Sequence, residues 1–200
     1  MYNVAQPEQV EAMMADAVSQ LGGLDILVNN AGIAGLTAPV QEVDLEQREA
    51  VLKVDLTGTF LVTKAAIPRL IESGQGVIVI MSSAAGRFGY LNRSPYATVK
   101  WGLIGFMKPL SIELGVHNIR ANAILPGAVD GERIQKFFQG RAKATGQTLD
   151  AVKTQAMENP SLKYMVDPKD IAALAVFLAW DAAKSISGQI MPIGGDMQRN

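Results

Sequence analysis

The chain has 200 residues, 48% hydrophobic and 18% charged, which is enough apolar material for one folded domain and too short for two typical ones. Its 18 Lys and Arg against 19 Asp and Glu leave a net charge of −1, so no overall field draws it to nucleic acid or to an anionic membrane. With no cysteine and a single histidine, His117, the sequence excludes disulfides, thiolate nucleophiles, sulfur-ligated zinc and poly-histidine metal sites.

The chemistry left is that of hydroxyls, carboxylates, amines and a borrowed cofactor. Met1 to Glu8 shows neither a basic n-region nor an apolar h-region, and seven carboxylates precede Arg48, the first cationic side chain. The long apolar run at Ala172 to Trp180 is far short of a membrane span. The expectation is a cytoplasmic protein without membrane contact. Asn92-Arg93-Ser94 matches a glycosylation acceptor, read as coincidence in the absence of a secretory signal.

Asp25 to Val28 is a short apolar run closed by Asn29-Asn30-Ala31-Gly32, which predicts a buried strand ending in a turn. Asp44 is placed to cap a helix that carries Val51, Val54, Leu61 and Ala65 at helical spacing to about Ser73. Gly76 to Met81 has no polar alternation, as expected of a strand covered on both faces. Ser94-Pro95 starts a second long helix running to about Leu114, since proline suits the first helical turn. Ile119 to Ile124 reads as a third strand ended by Pro126-Gly127, and residues 131–165 are polar and partly helical. Asp167-Pro168 caps a helix to about Trp180, and Gly188 to Ile193 is a last strand.

Alternating apolar strands and helices argue a single α/β domain over residues 1–200, with a parallel sheet and helices on both faces. Such folds bind ligands beyond the carboxyl ends of their strands. The polar and Gly-rich residues 29–35, 82–89 and 126–131 all follow strands and are expected to meet there.

Tyr96 and Lys100, four apart on the second long helix, share one face one turn apart. An ammonium beside a phenol favours the phenolate, which makes tyrosine a usable acid or base. Alone, the pair is as well explained by a half-buried Tyr and a solvated Lys. Ser83, 13 residues before Tyr96 and just past a buried strand, gives it company in the same crevice.

Asn29-Asn30-Ala31-Gly32, Ser83 with Tyr96-x-x-x-Lys100, and Pro126-Gly127, in this order and spacing, resemble the short-chain dehydrogenase/reductase family from about Asn3 to Gly195. The resemblance implies a Rossmann-like, doubly wound parallel sheet and hydride transfer between NAD or NADP and a small alcohol or carbonyl compound. It implies that Tyr96 is the general acid/base, that Ser83 hydrogen-bonds the same substrate oxygen, and that Lys100 holds the nicotinamide ribose. Asn30, Ala31 and Gly32 would lie along the cofactor, Pro126 and Gly127 beneath its nicotinamide, Asn3 at the adenine, and Val129 would also bind the cofactor. A homodimer or homotetramer is implied through the two long helices, where Phe60, Leu103, Phe106 and Met107 suggest more than one apolar stripe.

Three departures qualify the likeness. The family's opening strand and Gly-x-x-x-Gly-x-Gly turn, which cradles the pyrophosphate, have no counterpart here: Gly127 and Gly131 have the first spacing, but Arg133 occupies the third glycine position. The sheet is thus expected to lack its first strands and to leave an uncovered edge at Asp25–Val28. The expected explanation is a shortened product or a misplaced start, and the alternative is a non-catalytic fragment that only associates with full-length relatives. In-frame DNA upstream of Met1 separates the two. The family's auxiliary catalytic Asn corresponds to Asp55, which keeps carbonyl-type acceptors, loses the amide donor and adds charge. Gly131 replaces a Thr that would touch the nicotinamide amide. A further rival reading is epimerisation or elimination with the same Tyr and Lys.

Other residues have plainer accounts. His117 is better explained by a helix C-terminus than by catalysis. Arg133, Lys136, Arg141 and Lys143 are better explained as a solvated helix face than as contacts to an acidic substrate or a cofactor phosphate. Phe88, Tyr90, Phe137 and Phe138 fit a pocket wall or core packing equally, and Met157, Met165 and Met191 read as gap-filling core residues.

Overall fold

The structure, a computed structural model, describes residues 1–197. Its centre is a parallel sheet of four strands in sequential order: β1 (Ile26–Asn29), β2 (Gly76–Met81), β3 (Ile119–Pro126) and β4 (Ile190–Ile193). The register pairs Ile26 with Val77, Gly76 with Ile119 and Ala123 with Ile190. Val77 to Ile80 are buried on both faces, as a strand without polar alternation requires. β1 pairs on one side only, and its side chains alternate: Leu27 and Asn29 are buried, while Ile26 and Val28 are 46% and 45% exposed.

α1 (Pro7–Leu21) has no counterpart in the expectations from sequence. Its signals were punctuation rather than periodicity: Pro7 in the first turn, and Gly22 in the left-handed conformation (φ 78°) whose N–H closes on Val18 O. The helix after Asp44 is one continuous rod in three pieces, α2 (Leu45–Val51), a π-helical turn (Leu52–Thr57) and α3 (Gly58–Glu72). Asp44 stands at the expected N-cap position, but its side chain makes no capping hydrogen bond. α4 (Ser94–Glu113) matches the expected helix closely, with Pro95 in its first turn.

Residues 131–165 resolve into α5 (Glu132–Thr145) and α6 (Leu149–Glu158), which bury Phe138 and Val152. α7 (Pro168–Ala179) starts where expected, with the Asp167 carboxylate accepting from Lys169 N–H at 2.8 Å.

The two faces of the sheet are covered unequally. On one face α1, α3 and α4 bury a large apolar layer that includes Val10, Met14, Leu70, Ile78, Leu103 and Met107. On the other, Val77, Val79, Ile124 and Leu178 form a small layer under α7, whose Val176 remains 67% exposed. Leu103 and Met107 therefore belong to the core rather than to an exposed stripe. Phe60 and Trp101 are exposed, and half-buried Phe106 packs its ring 6.0 Å from that of Phe60. Met157 and Met165 are only half-buried, and Met191 packs against the smaller layer. Among the described residues no helix is long and apolar enough to cross a membrane.

Candidate active site

Parallel strands carry their loops out at one end, and here the loops after β1, β2 and β3 open onto one cavity of about 1360 Å³. Asn30 reaches it from β1, Ser83 from β2, and Pro126, Gly127 and Val129 from β3, while α4 contributes Tyr96 and Lys100. Roughly 300–1,000 Å³ suffices for a drug-sized ligand, so this cavity has room for a substrate beside part of a larger cofactor.

α4 is fixed to the end of β2 by its backbone. Ser82 Oγ donates to the Lys100 carbonyl at 2.7 Å, and Lys100 Nζ donates to the Met81 carbonyl at 3.1 Å. Gly86 makes this approach possible, because a Cβ there would stand 2.5 Å from Ser82 Oγ and 2.7 Å from the Lys100 carbonyl oxygen. Ser83 begins the short turn after β2, its Oγ accepting from Ala85 N–H at 3.1 Å. Lys100 Nζ lies 5.5 Å from the centre of the Tyr96 ring, so the one-turn spacing does bring ammonium and phenol together.

Asp55 is placed by the π-helical turn. It is fully buried, its Oδ1 accepts from Ile33 N–H at 2.7 Å, and its Oδ2 stands 3.5 Å from Lys100 Nζ without a hydrogen-bond partner. Burial raises its pKa above the ordinary carboxylate value, against the downward pull of Lys100, the Ile33 N–H and Arg133. Gly32 lies directly over this carboxylate: a Cβ would approach Asp55 Oδ2 to 2.9 Å. The loop after β1 is thus held down on Asp55, which in turn reaches Lys100.

Asn29 is turned away, donating through Nδ2 to Thr63 Oγ1 at 2.9 Å, so of the two adjacent asparagines Asn30 is the one at the cavity. Ala31 is exposed beside it. Asn3 lies outside the cavity wall, in the turn before α1, where its Oδ1 accepts from Ala5 N–H and its own N–H donates to Gln9 Oε1. Gly131 starts α5, and His117 ends the turn after α4.

The cationic group on α5 is not merely a solvated face: Arg133, Lys136 and Lys143 line the cavity, and only Arg141 of the four does not. Tyr90 and Phe137 also line it, with ring centres 5.9 Å apart, whereas Phe138 is core and Phe88 packs under Arg87. Sequence reasoning passed over Arg93, read only as part of a glycosylation triplet. It is 5% exposed and packs its guanidinium 4.7 Å from the Tyr96 ring centre and 5.2 Å from that of Phe137. Its signal was position, three residues before Tyr96. Among the described residues no cluster of His, Cys, Asp and Glu suits a metal ion.

The family model described as enoyl-(acyl carrier protein) reductase matches residues 1–197. The chain is 33% identical over 194 residues to D-beta-hydroxybutyrate dehydrogenase of Cupriavidus necator, covering 96% of this chain and 75% of that one. It is 33% identical over 195 residues to a 3-oxoacyl-[acyl-carrier-protein] reductase of Aquifex aeolicus, covering 98% and 74%. Among solved structures, an NAD+-bound xylitol dehydrogenase superposes with a TM-score of 0.94 at 30% identity, covering 97% of this chain and 76% of that one.

Proposed function

Since the chain belongs to the short-chain dehydrogenase/reductase family, we propose that it interconverts a small alcohol and its carbonyl compound, with Tyr96 as general acid/base. The observation that carries this reading is the convergence of Ser83, Tyr96 and Lys100 on one cavity at the carboxyl end of β2. NAD or NADP, the cofactor of this family's chemistry, supplies a hydride acceptor or donor when bound.

The donor set fits the nicotinamide-ribose side of such a cofactor. An ammonium has three N–H groups; in Lys100 one goes to the Met81 carbonyl and a second faces Asp55, which leaves one for a ribose hydroxyl. Asn30 offers a side-chain amide, and Pro126, Gly127 and Val129 form the opposite wall. The sequence holds no Gly-x-x-x-Gly-x-Gly turn for a pyrophosphate.

In alcohol oxidation Tyr96 takes the hydroxyl proton as the carbinol C–H leaves as hydride, and in reduction it returns that proton to the carbonyl oxygen. Ser83 hydrogen-bonds the same oxygen and fixes its position. Lys100 keeps positive charge near the phenol oxygen while that oxygen is deprotonated. Asp55 acts through Lys100, holding its ammonium from a fully buried position outside the cavity lining. The patch of exposed Phe60 and Trp101 with half-buried Phe106 is the surface we assign to self-association into a homodimer or homotetramer.

The test is turnover of a panel of short-chain alcohols and ketones at millimolar NAD(H) or NADP(H), with rates read as the slope against cofactor concentration. Tyr96→Phe is expected to lower that slope by roughly 10²-fold or more, as loss of a general acid/base does. A variant that keeps more than about a tenth of the wild-type slope removes Tyr96 from the role.

A further inference from the structure

Arg93 is a buried cation for which the proton-transfer machinery has no use. Its guanidinium has five N–H donors. One Nη donates to the Ala34 carbonyl at 2.7 Å and the other to Thr37 Oγ1 at 3.2 Å, while Nε has no partner. Among the described residues it forms no ion pair: the titratable groups facing it are Arg133, whose charge repels it, and the phenols of Tyr90 and Tyr96. Burial pulls its pKa down. A buried charge without a counter-ion is costly, and holding Ala34 and Thr37 needs only a neutral donor, so those two bonds do not account for an arginine.

The surroundings share the same sign. Of the charged residues lining the cavity, five are cations (Arg93, Lys100, Arg133, Lys136 and Lys143) and two are acids (Glu42 and Asp130), in a chain whose net charge is −1. The excess is local to the cavity. Within it, Arg93 packs on the Tyr96 ring at 4.7 Å from its centre, nearer than Lys100 at 5.5 Å. Ala34 and Thr37 take two of the five N–H groups of Arg93, which leaves the Nε–H and one N–H on each Nη for a partner, and two in-plane N–H groups are what grips a carboxylate with parallel bonds.

We propose that Arg93 is the substrate's anion-binding residue, and that the substrate is a short oxo or hydroxy acid whose carboxylate lies on Arg93 while its carbonyl or hydroxyl oxygen lies at Tyr96. The adjacency of Arg93 and Tyr96 sets the size: few carbons separate the reacting oxygen from the carboxylate. This rests on the dehydrogenase reading for the role of Tyr96, but the anion site itself does not depend on turnover.

The test is calorimetric titration of the full chain with 4-oxopentanoate and with its methyl ester, which differ in charge and keep the same ketone. Wild type and Arg133→Gln are expected to bind the acid roughly tenfold or more tightly than the ester, the size of one charge-assisted bidentate contact. Arg93→Gln is expected to bring that ratio close to one. Equal affinity for acid and ester in wild type, no binding of either, or a ratio that survives Arg93→Gln overturns the proposal.

Should Arg93→Gln fail to fold, the wild-type Nε–H resonance of Arg93 replaces it: the acid is expected to shift it and the ester to leave it in place, and an unmoved resonance overturns the proposal. Carboxylate binding without any hydride transfer refutes the dehydrogenase reading alone. Turnover of the ester as efficient as that of the acid refutes the anion site alone.

Discussion

Replacing Asp55 by Asn separates two opposing effects on one buried charge. At 3.5 Å from Lys100 Nζ, its attraction to the ammonium is about 5 kcal/mol at an effective dielectric constant of about 20. Removing the two ions from water costs several kcal/mol for each. The raised pKa of Asp55 says that burial outweighs the attraction. A carboxyl with a raised pKa in the fold binds its proton more tightly folded than unfolded, so the protein loses stability as pH climbs from its ordinary value of 3.8 towards the higher folded value. Asn does not titrate.

The stability of Asp55→Asn relative to wild type is therefore expected to increase with pH through that window, with a slope of at most about 1.4 kcal/mol per pH unit, and then to level off. Equilibrium urea unfolding of both proteins at stepped pH measures it, and the slope is independent of the fixed cost of giving Lys100 an amide for a neighbour. A flat difference, or a wild type that gains on the variant as pH rises, refutes the reasoning and means that attraction to Lys100 outweighs burial.

Gly32→Ala sets a Cβ 2.9 Å from Asp55 Oδ2 and is expected to cost about 1–3 kcal/mol in thermal or urea unfolding; combining it with Asp55→Ala is expected to recover part of that loss, and simple additivity counts against the contact. Val28→Lys, on the exposed side of edge strand β1, is expected to reduce edge-to-edge aggregation, seen as loss of high-mass species by light scattering, because a charged edge resists strand pairing. Dinucleotide affinity of the 200 residues is expected to be about a thousandfold or more below that of a site with a pyrophosphate cradle, from the loss of two or three charge-assisted bonds. Calorimetry with NADH and NADPH checks this, and micromolar binding means that other residues here hold the pyrophosphate.

Strands β2 and β3 and helix α4 were legible in the sequence because burial on two faces and a proline start leave marks that neighbours do not alter. α1 was not, since its apolar stripe is only Val10 and Met14 deep and its exposed face dilutes the pattern. The π-helical turn left no mark either: what distinguishes residues 52–57 is the ladder spacing, which a reading of side-chain periodicity does not register. Ser83, Tyr96, Lys100 and Gly127 were readable because they follow strand ends or share one helix face. Arg93 was not, because its meaning comes from Ala34, Thr37 and Phe137, all remote in sequence. The cationic face of α5 is solvent-exposed, as its polar periodicity predicts, but periodicity does not tell that it also borders the cavity.

The uneven covering of the sheet has a consequence for how the molecule fluctuates. α4 sits on a deep apolar layer and is bonded to the end of β2, so its amides exchange with solvent only when much of the sheet comes apart. α7 rests on little more than Leu178 and its half-buried neighbours, so it opens locally at a lower free energy. Ile171 and Ala175 of α7 also wall the cavity. One side of the site, with Tyr96 and Lys100, therefore keeps its geometry while the α7 side opens more readily, and a bound ligand is expected to slow hydrogen exchange in α7 while leaving α4 unchanged.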